Sequence, residues 1–290
     1  MTAMQLEKSK NKPGSFLGTD STPIYDSSRR GLLVLDEFRE AYRYRGLIFQ
    51  LVRRDIVARY KRSVLGVAWT MLNPLGMMIV LTIVYSQLFK SIEGYPAYIL
   101  SGLIAWNFFS QTTSAAINSL VWGGDFFQRI YVPRSVFALA AMGTGLVNLV
   151  LSLAPLIGVM LIVHVPLRST IIFFPIPVLF LTMFSLGVGL LISCIAIYFP
   201  DVVEMYQIIL QAWFFLTPIL YPLDALPENL RPVLAFNPLA PIIKLFRIPL
   251  YDGKIPTSPD LLPAFLISLV VIVVGWWIFT RKSDEFAYRT

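Results

Sequence analysis

The sequence predicts an all-α integral membrane protein, and three observations predict it. Apolar residues make up 56% of the 290-residue chain. Charged residues make up only 14%, against about 25% in soluble domains, and they crowd into the first 62 positions, one internal loop and the tail. Six apolar stretches are each long enough to cross the hydrocarbon layer, which takes about 20 helical residues: 67–89, 97–117, 135–163, 170–198, 204–222 and 261–280.

The elements follow in order. Residues 1–35, with "GTDSTPIYDSSRR", read as a flexible N-terminal arm, polar and without the apolar core of a secretory signal, so the N-terminus is expected to be retained. Residues 36–62 form a cytoplasmic interface region. There "GLIFQLVRRDIVARYKR" sets Ile48, Leu51, Val52, Ile56 and Tyr60 at helical spacing against Arg53, Arg54, Asp55, Arg59 and Arg62, an amphipathic helix suited to the membrane surface. Gly46 is expected to separate it from the shorter charged segment "LDEFREAYRYR". The basic cluster Arg59, Lys61 and Arg62 then meets the first apolar run directly, which anchors that span at an anionic leaflet.

Residues 63–290 hold the six spans. The third is long for one crossing, so tilt or a bend near Pro155 is expected. The fourth and fifth are joined only by "FPDVVEM", a tight turn, and form a hairpin. The proline-rich segment 223–260 reads as short re-entrant or interfacial helices making an extracellular lid, packed on the spans because backbone at that depth needs partners. After the second span, "NSLVWGGDFFQRIYVPRS" offers a Gly-Gly break and a short helix capped by Asp125, either a linker or a contact for a soluble subunit. Six spans leave both termini on one side. Of the 24 Lys and Arg residues, 18 fall on that side and 6 on the other, so both termini are expected in the cytoplasm.

Several chemistries drop out. With one cysteine, Cys194, and one histidine, His164, the chain cannot close an internal disulfide or build a Cys/His zinc site. It carries no phosphate-binding loop, dinucleotide fingerprint or metalloprotease helix motif. Ionisable residues, the usual mark of ion pathways in membranes, are almost missing from the spans. Asp201 and Glu204 flank the turn before the fifth span, where helix capping is the plainer reading and an acid/base pair the sharper one. The spans are rich instead in rings: Trp69, Tyr85, Trp106, Phe108, Phe109, Trp213, Phe214, Phe215 and Tyr221. These are either interfacial belts or the lining of a path along which sugars can stack. Ala141 with Gly145, and Ser185 with Gly189, have the small-xxx-small spacing of closely packed helices.

The run "RYKRSVLGVAWTMLNPL" resembles the opening motif of the ABC-2 type permeases that export O-antigen, capsule and wall teichoic acid, with Arg59, Tyr60, Ser63, Leu65, Gly66, Trp69, Leu72 and Pro74 in place. "FFQRIYVPRSVF", "QAWFFLTPILYP" and "NPLAPIIKLFR" extend the resemblance from about residue 46 to the end. It implies a homodimer in the bacterial inner membrane, joined by two copies of a cytoplasmic ABC ATPase and moving lipid-linked polysaccharide outward among membrane lipids, with no role for nucleic acid. This chain would then be a permease and not an enzyme, binding no cofactor of its own, with ATP and magnesium at the partner.

The resemblance further implies a role for each group of residues. Arg53, Arg54, Arg59, Tyr60, Lys61, Leu65 and Gly66 would form the interface helix and the way in for substrate, with the rings above lining the channel. Asp125, Phe126, Phe127, Arg129, Asp201 and Glu204 would couple to the ATPase, and 223–260 would be the external gate. One departure is "YFPD", where Pro200 stands in place of the family's usual Arg. An ABC-2 exporter of drugs or simple lipids is the alternative, and a membrane-embedded glycan-modifying enzyme a weaker one, because few polar catalytic groups are present.

Overall fold

Backbone in lipid must satisfy its own hydrogen bonds, and every element described is helical. The computed structural model describes residues 37, 39, 41–61, 65–66, 68–90, 92–122, 132–222, 227–228 and 236–286. The N-terminal arm 1–35, the residues Asp125, Phe126, Phe127 and Arg129, the Tyr60 side chain and most of 223–235 lie outside the described residues. The helices are α1 (Arg45–Tyr60), α2 (Ala68–Tyr85), α3 (Tyr95–Val121), α4 (Ser135–Ile162), α5 (Pro175–Ala196, after a 3-10 turn Ser169–Phe173), α6 (Val202–Leu216), α7 (Ala240–Leu250) and α8 (Ser258–Phe286).

Four helical segments among the described residues are long and apolar enough to cross a membrane: Ala68–Tyr85, Ser135–Ile162, Ser169–Ala196 and Ser258–Lys282. α3 has the length, 27 residues, but is more polar and lies at the centre, with 18 of them buried. It packs against α2, α4, α5, α6 and α7. Both small-residue pairs face it. A methyl group on Gly145 would come within 2.0 Å of Thr112, and one on Gly189 within 3.3 Å of Ala116. Backbone meets backbone elsewhere, between α5 and α8, where a Cβ on Gly187 would meet the Val271 carbonyl at 2.5 Å and one on Gly275 the Gly187 carbonyl at 2.5 Å.

Two sequence expectations are corrected. Gly46 lies inside α1, and the helical run breaks at Tyr44 instead. In α1, Leu51 is buried against Val136 and Ala140 at the start of α4, while Arg53 and Arg54 stay exposed. The stretch expected to be helical to residue 222 stops at Leu216, with Thr217 extended (φ −99, ψ 137). The cause is Pro218, since a residue preceding proline is pushed out of the helical region. α4, by contrast, runs through Pro155 without interruption.

Gly66, between α1 and α2, has φ +48, a conformation that favours glycine. The bundle therefore has two ends. α1, the end of α3 and the start of α4 lie at one; α7, the start of α3 and the end of α6 lie at the other.

Candidate functional site: a polar cleft among α1 to α4

Helical spacing builds the site. Thr70 and Asn73 on α2, Asn107 and Gln111 on α3, and Asn148 and Ser152 on α4 are three pairs at i,i+3 or i,i+4, so each pair shares one helix face. The three faces meet around a cleft of about 200 Å³, walled also by Trp69, Pro74, Ile104, Phe108 and Leu149 and open at Arg59. A second cleft of about 300 Å³ continues it toward α1. Arg59, Gln111, Thr112, Gly145 and Asn148 border both, and Arg54, Asp55, Thr144 and Ser119 border the second.

The hydroxyls here are mostly occupied. Thr112 donates to the Phe108 carbonyl (2.6 Å), and Ser152 to the carbonyls of Asn148 (2.8 Å) and Thr70 (3.4 Å). The amides of Asn73, Asn107 and Gln111 have no side-chain hydrogen-bond partner among the described residues. Gln111 and Asn73 are exposed. Amides left open at this depth cost free energy unless water or a polar ligand reaches them. The two clefts therefore offer donors and acceptors to water or a polar ligand, and two guanidinium groups, Arg54 and Arg59, line the second of them. Of these, Arg54 is ion-paired to Asp55 (2.9 Å) and Arg59 is exposed.

The rings expected from sequence divide into groups. Trp69 (57% exposed) and Phe108 (4% exposed) wall the cleft. Trp106, Phe109, Trp213 and Phe214 form one internal cluster, Trp106 on Phe214 at 5.5 Å and Phe109 on Trp213 at 5.2 Å, extended by Phe184. Phe215 faces outward. Tyr85 and Tyr221 are half-buried at the α7 end, Tyr221 donating to the Phe215 carbonyl (2.7 Å). Of the basic and coupling residues, Arg53 and Lys61 are exposed, Leu65 and Gly66 make the turn, and Asp201 and Glu204 sit at the start of α6, where Asp201 makes no side-chain capping bond.

None of the four amides is among the residues expected from sequence to carry function. The readable signal is polar spacing inside apolar runs: "NFFSQTTS" repeats a polar residue on one helical face, and Asn73 and Asn148 each interrupt a span.

Comparison with known proteins covers nearly the same residues. Residues 46–251 match the family described as ABC-2 type transporter. The O-antigen export system permease protein RfbA of Myxococcus xanthus is 31% identical over 253 residues, covering 86% of this chain and 97% of that protein. RfbA of Klebsiella pneumoniae is 26% identical over 83% of this chain and 93% of its own length. The polysialic acid transport protein KpsM of Escherichia coli is 22% identical over 81% of this chain and 92% of its own.

Proposed function

The chain belongs to the ABC-2 type transporter family, and on that footing we propose that it is the transmembrane subunit of a polysaccharide exporter. The finer reading is a homodimer in the bacterial inner membrane, driven by two copies of a cytoplasmic ABC ATPase that bind ATP and magnesium. It moves a lipid-linked polysaccharide, O-antigen-like or teichoic-acid-like, from the cytoplasmic leaflet outward. Six crossings are assigned to α2, α3, α4, α5, α6 and α8, with both termini cytoplasmic. The α1 end and the wide mouth of the cleft then face the cytoplasm, and α7 belongs to the external gate.

The observation that carries this reading is the row of open amides. A glycan presents hydroxyls in all directions and is met by neutral donors and acceptors that can exchange partners as it advances. Asn73, Asn107 and Gln111 supply them, and Arg59 at the mouth suits the phosphate of a lipid carrier. Exposed Trp69 and Phe215 are available for sugar stacking along a path between two copies, backed by the ring cluster of Trp106, Phe109, Trp213 and Phe214. A drug or simple lipid would leave the amides unpaired.

The test is co-purification of the tagged chain from native membranes, with subunits identified and counted by mass spectrometry, followed by ATPase assay with lipid-linked glycan. Equimolar recovery of an ABC ATPase and stimulation by the glycan are expected. Recovery of the chain alone from an intact membrane complex, or stimulation by small hydrophobes only, overturns the reading.

A further inference from the structure

The α7 end holds a second polar constellation that the proposed transport path does not use. Arg247, on α7, is 6% exposed, and no carboxylate lies within ion-pairing distance of it among the described residues. Its guanidinium lies 3.8 Å over the Tyr98 ring of α3. Nη1 donates to the Pro218 carbonyl (2.6 Å) and the Tyr98 hydroxyl (2.9 Å), and Nη2 to the Ile219 carbonyl (2.7 Å) and the Tyr98 carbonyl (3.4 Å). Gly102 makes room for it, since a Cβ there would stand 2.3 Å from Nη2. The carbonyls of Pro218 and Ile219 lie just past the broken end of α6, where carbonyls lack helical partners and the helix dipole is negative. The cation thus ties down the segment just past α6 from 29 residues further along the chain, while the last α6 carbonyls are met by Thr217, Tyr221 and Asn237.

Asn237 makes a second tie between the same elements. It accepts from Trp213 Nε1 (2.9 Å) and donates to the Leu216 carbonyl (3.1 Å) at the end of α6, and it accepts from the Leu239 amide (3.0 Å) at the start of α7. α6 and α7 are therefore bonded into one unit at both Asn237 and Arg247. That unit meets α3 through the Tyr98 ring, hydroxyl and carbonyl, and through the Tyr95 hydroxyl, which donates to the Leu220 carbonyl (2.8 Å). A movement of α7 with the end of α6 keeps the guanidinium-to-carbonyl bonds to Pro218 and Ile219 and gives up the contacts to Tyr95 and Tyr98, while the start of α6 stays on α3 through Tyr206 to Thr113 (2.8 Å) and Gln207 to Ser114 (3.0 Å). Apolar side chains would fill the same volume without the desolvation cost of a buried cation. What the cation provides is directional bonding on two sides, to Pro218 and Ile219 within its own unit and to Tyr98 across the joint, so that one side can be released while the other is kept.

We infer that Arg247 is the positioning residue that latches the external gate: it holds the α6–α7 unit against Tyr98 and Tyr95 of α3, and the path opens outward by release at those two tyrosines. This rests on the reading of α7 as the external gate of an exporter.

The experiment measures passive escape of carboxyfluorescein from phosphatidylcholine/phosphatidylglycerol vesicles holding the permease with its co-purified ATPase, without nucleotide. Tyr95→Phe/Tyr98→Phe removes two hydroxyls and keeps both rings. Leak is expected to rise about tenfold, as loss of about 1.4 kcal/mol from the closed state would give. Arg247→Met is expected to leak more, and Arg247→Lys, which keeps the charge, to lie between it and wild type. Lys244→Met, on the exposed side of the same helix and ion-paired to Asp260 (2.9 Å), is expected to match wild type. A double tyrosine variant with wild-type melting and wild-type leak overturns the latch, as does Lys244→Met leaking equally; if Arg247→Met does not fold, the tyrosine variant decides. A preparation that contains no ATPase fails the transport reading instead.

Discussion

The cleft around Asn107 and the joint around Arg247 are both polar sites inside an apolar bundle, and they are built in opposite ways. At the joint, four donor contacts and one ring face surround a single cation, and only Nε lacks a partner. In the cleft, the amides of Asn73, Asn107 and Gln111 have none among the described residues. Bonds made within the chain hold a shape, whereas bonds left open are available to something that passes. Removing a group from the joint should therefore cost stability, and removing one from the cleft should cost function with little change in stability.

The largest effect tests the first half of that contrast. Arg247→Met removes a charged donor and strands the Pro218 and Ile219 carbonyls, and a stability loss of about 3 kcal/mol is expected, read as a lowered melting temperature in detergent. The next sharpens the boundary of the cleft. Gly145→Ala should cost about 2 kcal/mol, because its methyl collides with Thr112 and forces α3 and α4 apart; here a cleft residue matters through packing and not through polarity. Tyr206→Phe removes one hydrogen bond, from the Tyr206 hydroxyl to Thr113 Oγ1 (2.8 Å), between α6 and α3, and should cost about 1 kcal/mol. The smallest effect on stability is the most telling. Asn107→Leu and Gln111→Leu should melt within about 0.5 kcal/mol of wild type while glycan-stimulated ATPase activity falls about tenfold. If Asn107→Leu destabilises as much as Arg247→Met, the two sites are not different in kind and the cleft is ordinary packing.

The helices were legible because their signals are local. Apolar runs, the Ile48–Leu51–Val52–Ile56 spacing in α1 and the "FPDVVEM" turn can each be read from neighbours within a few positions, and helices and a turn stand at these places, four of the helical segments being of membrane length among the described residues. The end of α6 was legible too, in Pro218, but a long apolar run outweighed it. The cleft was half legible. Its polar pairs stand at helical spacing in three separate spans, yet nothing in any one span shows that the three faces meet.

Composition and periodicity alone determined that this chain is a helical membrane protein with a cluster of basic residues just before its first apolar run, because lipid imposes length and polarity rules on each segment independently. The tertiary structure decided which rings face inward, which amides stay open and that Arg247 is buried. The last could not be read from sequence because its acceptors are mainly backbone carbonyls, which every residue carries alike and which only the fold can bring together from positions 98, 218, 219 and 247.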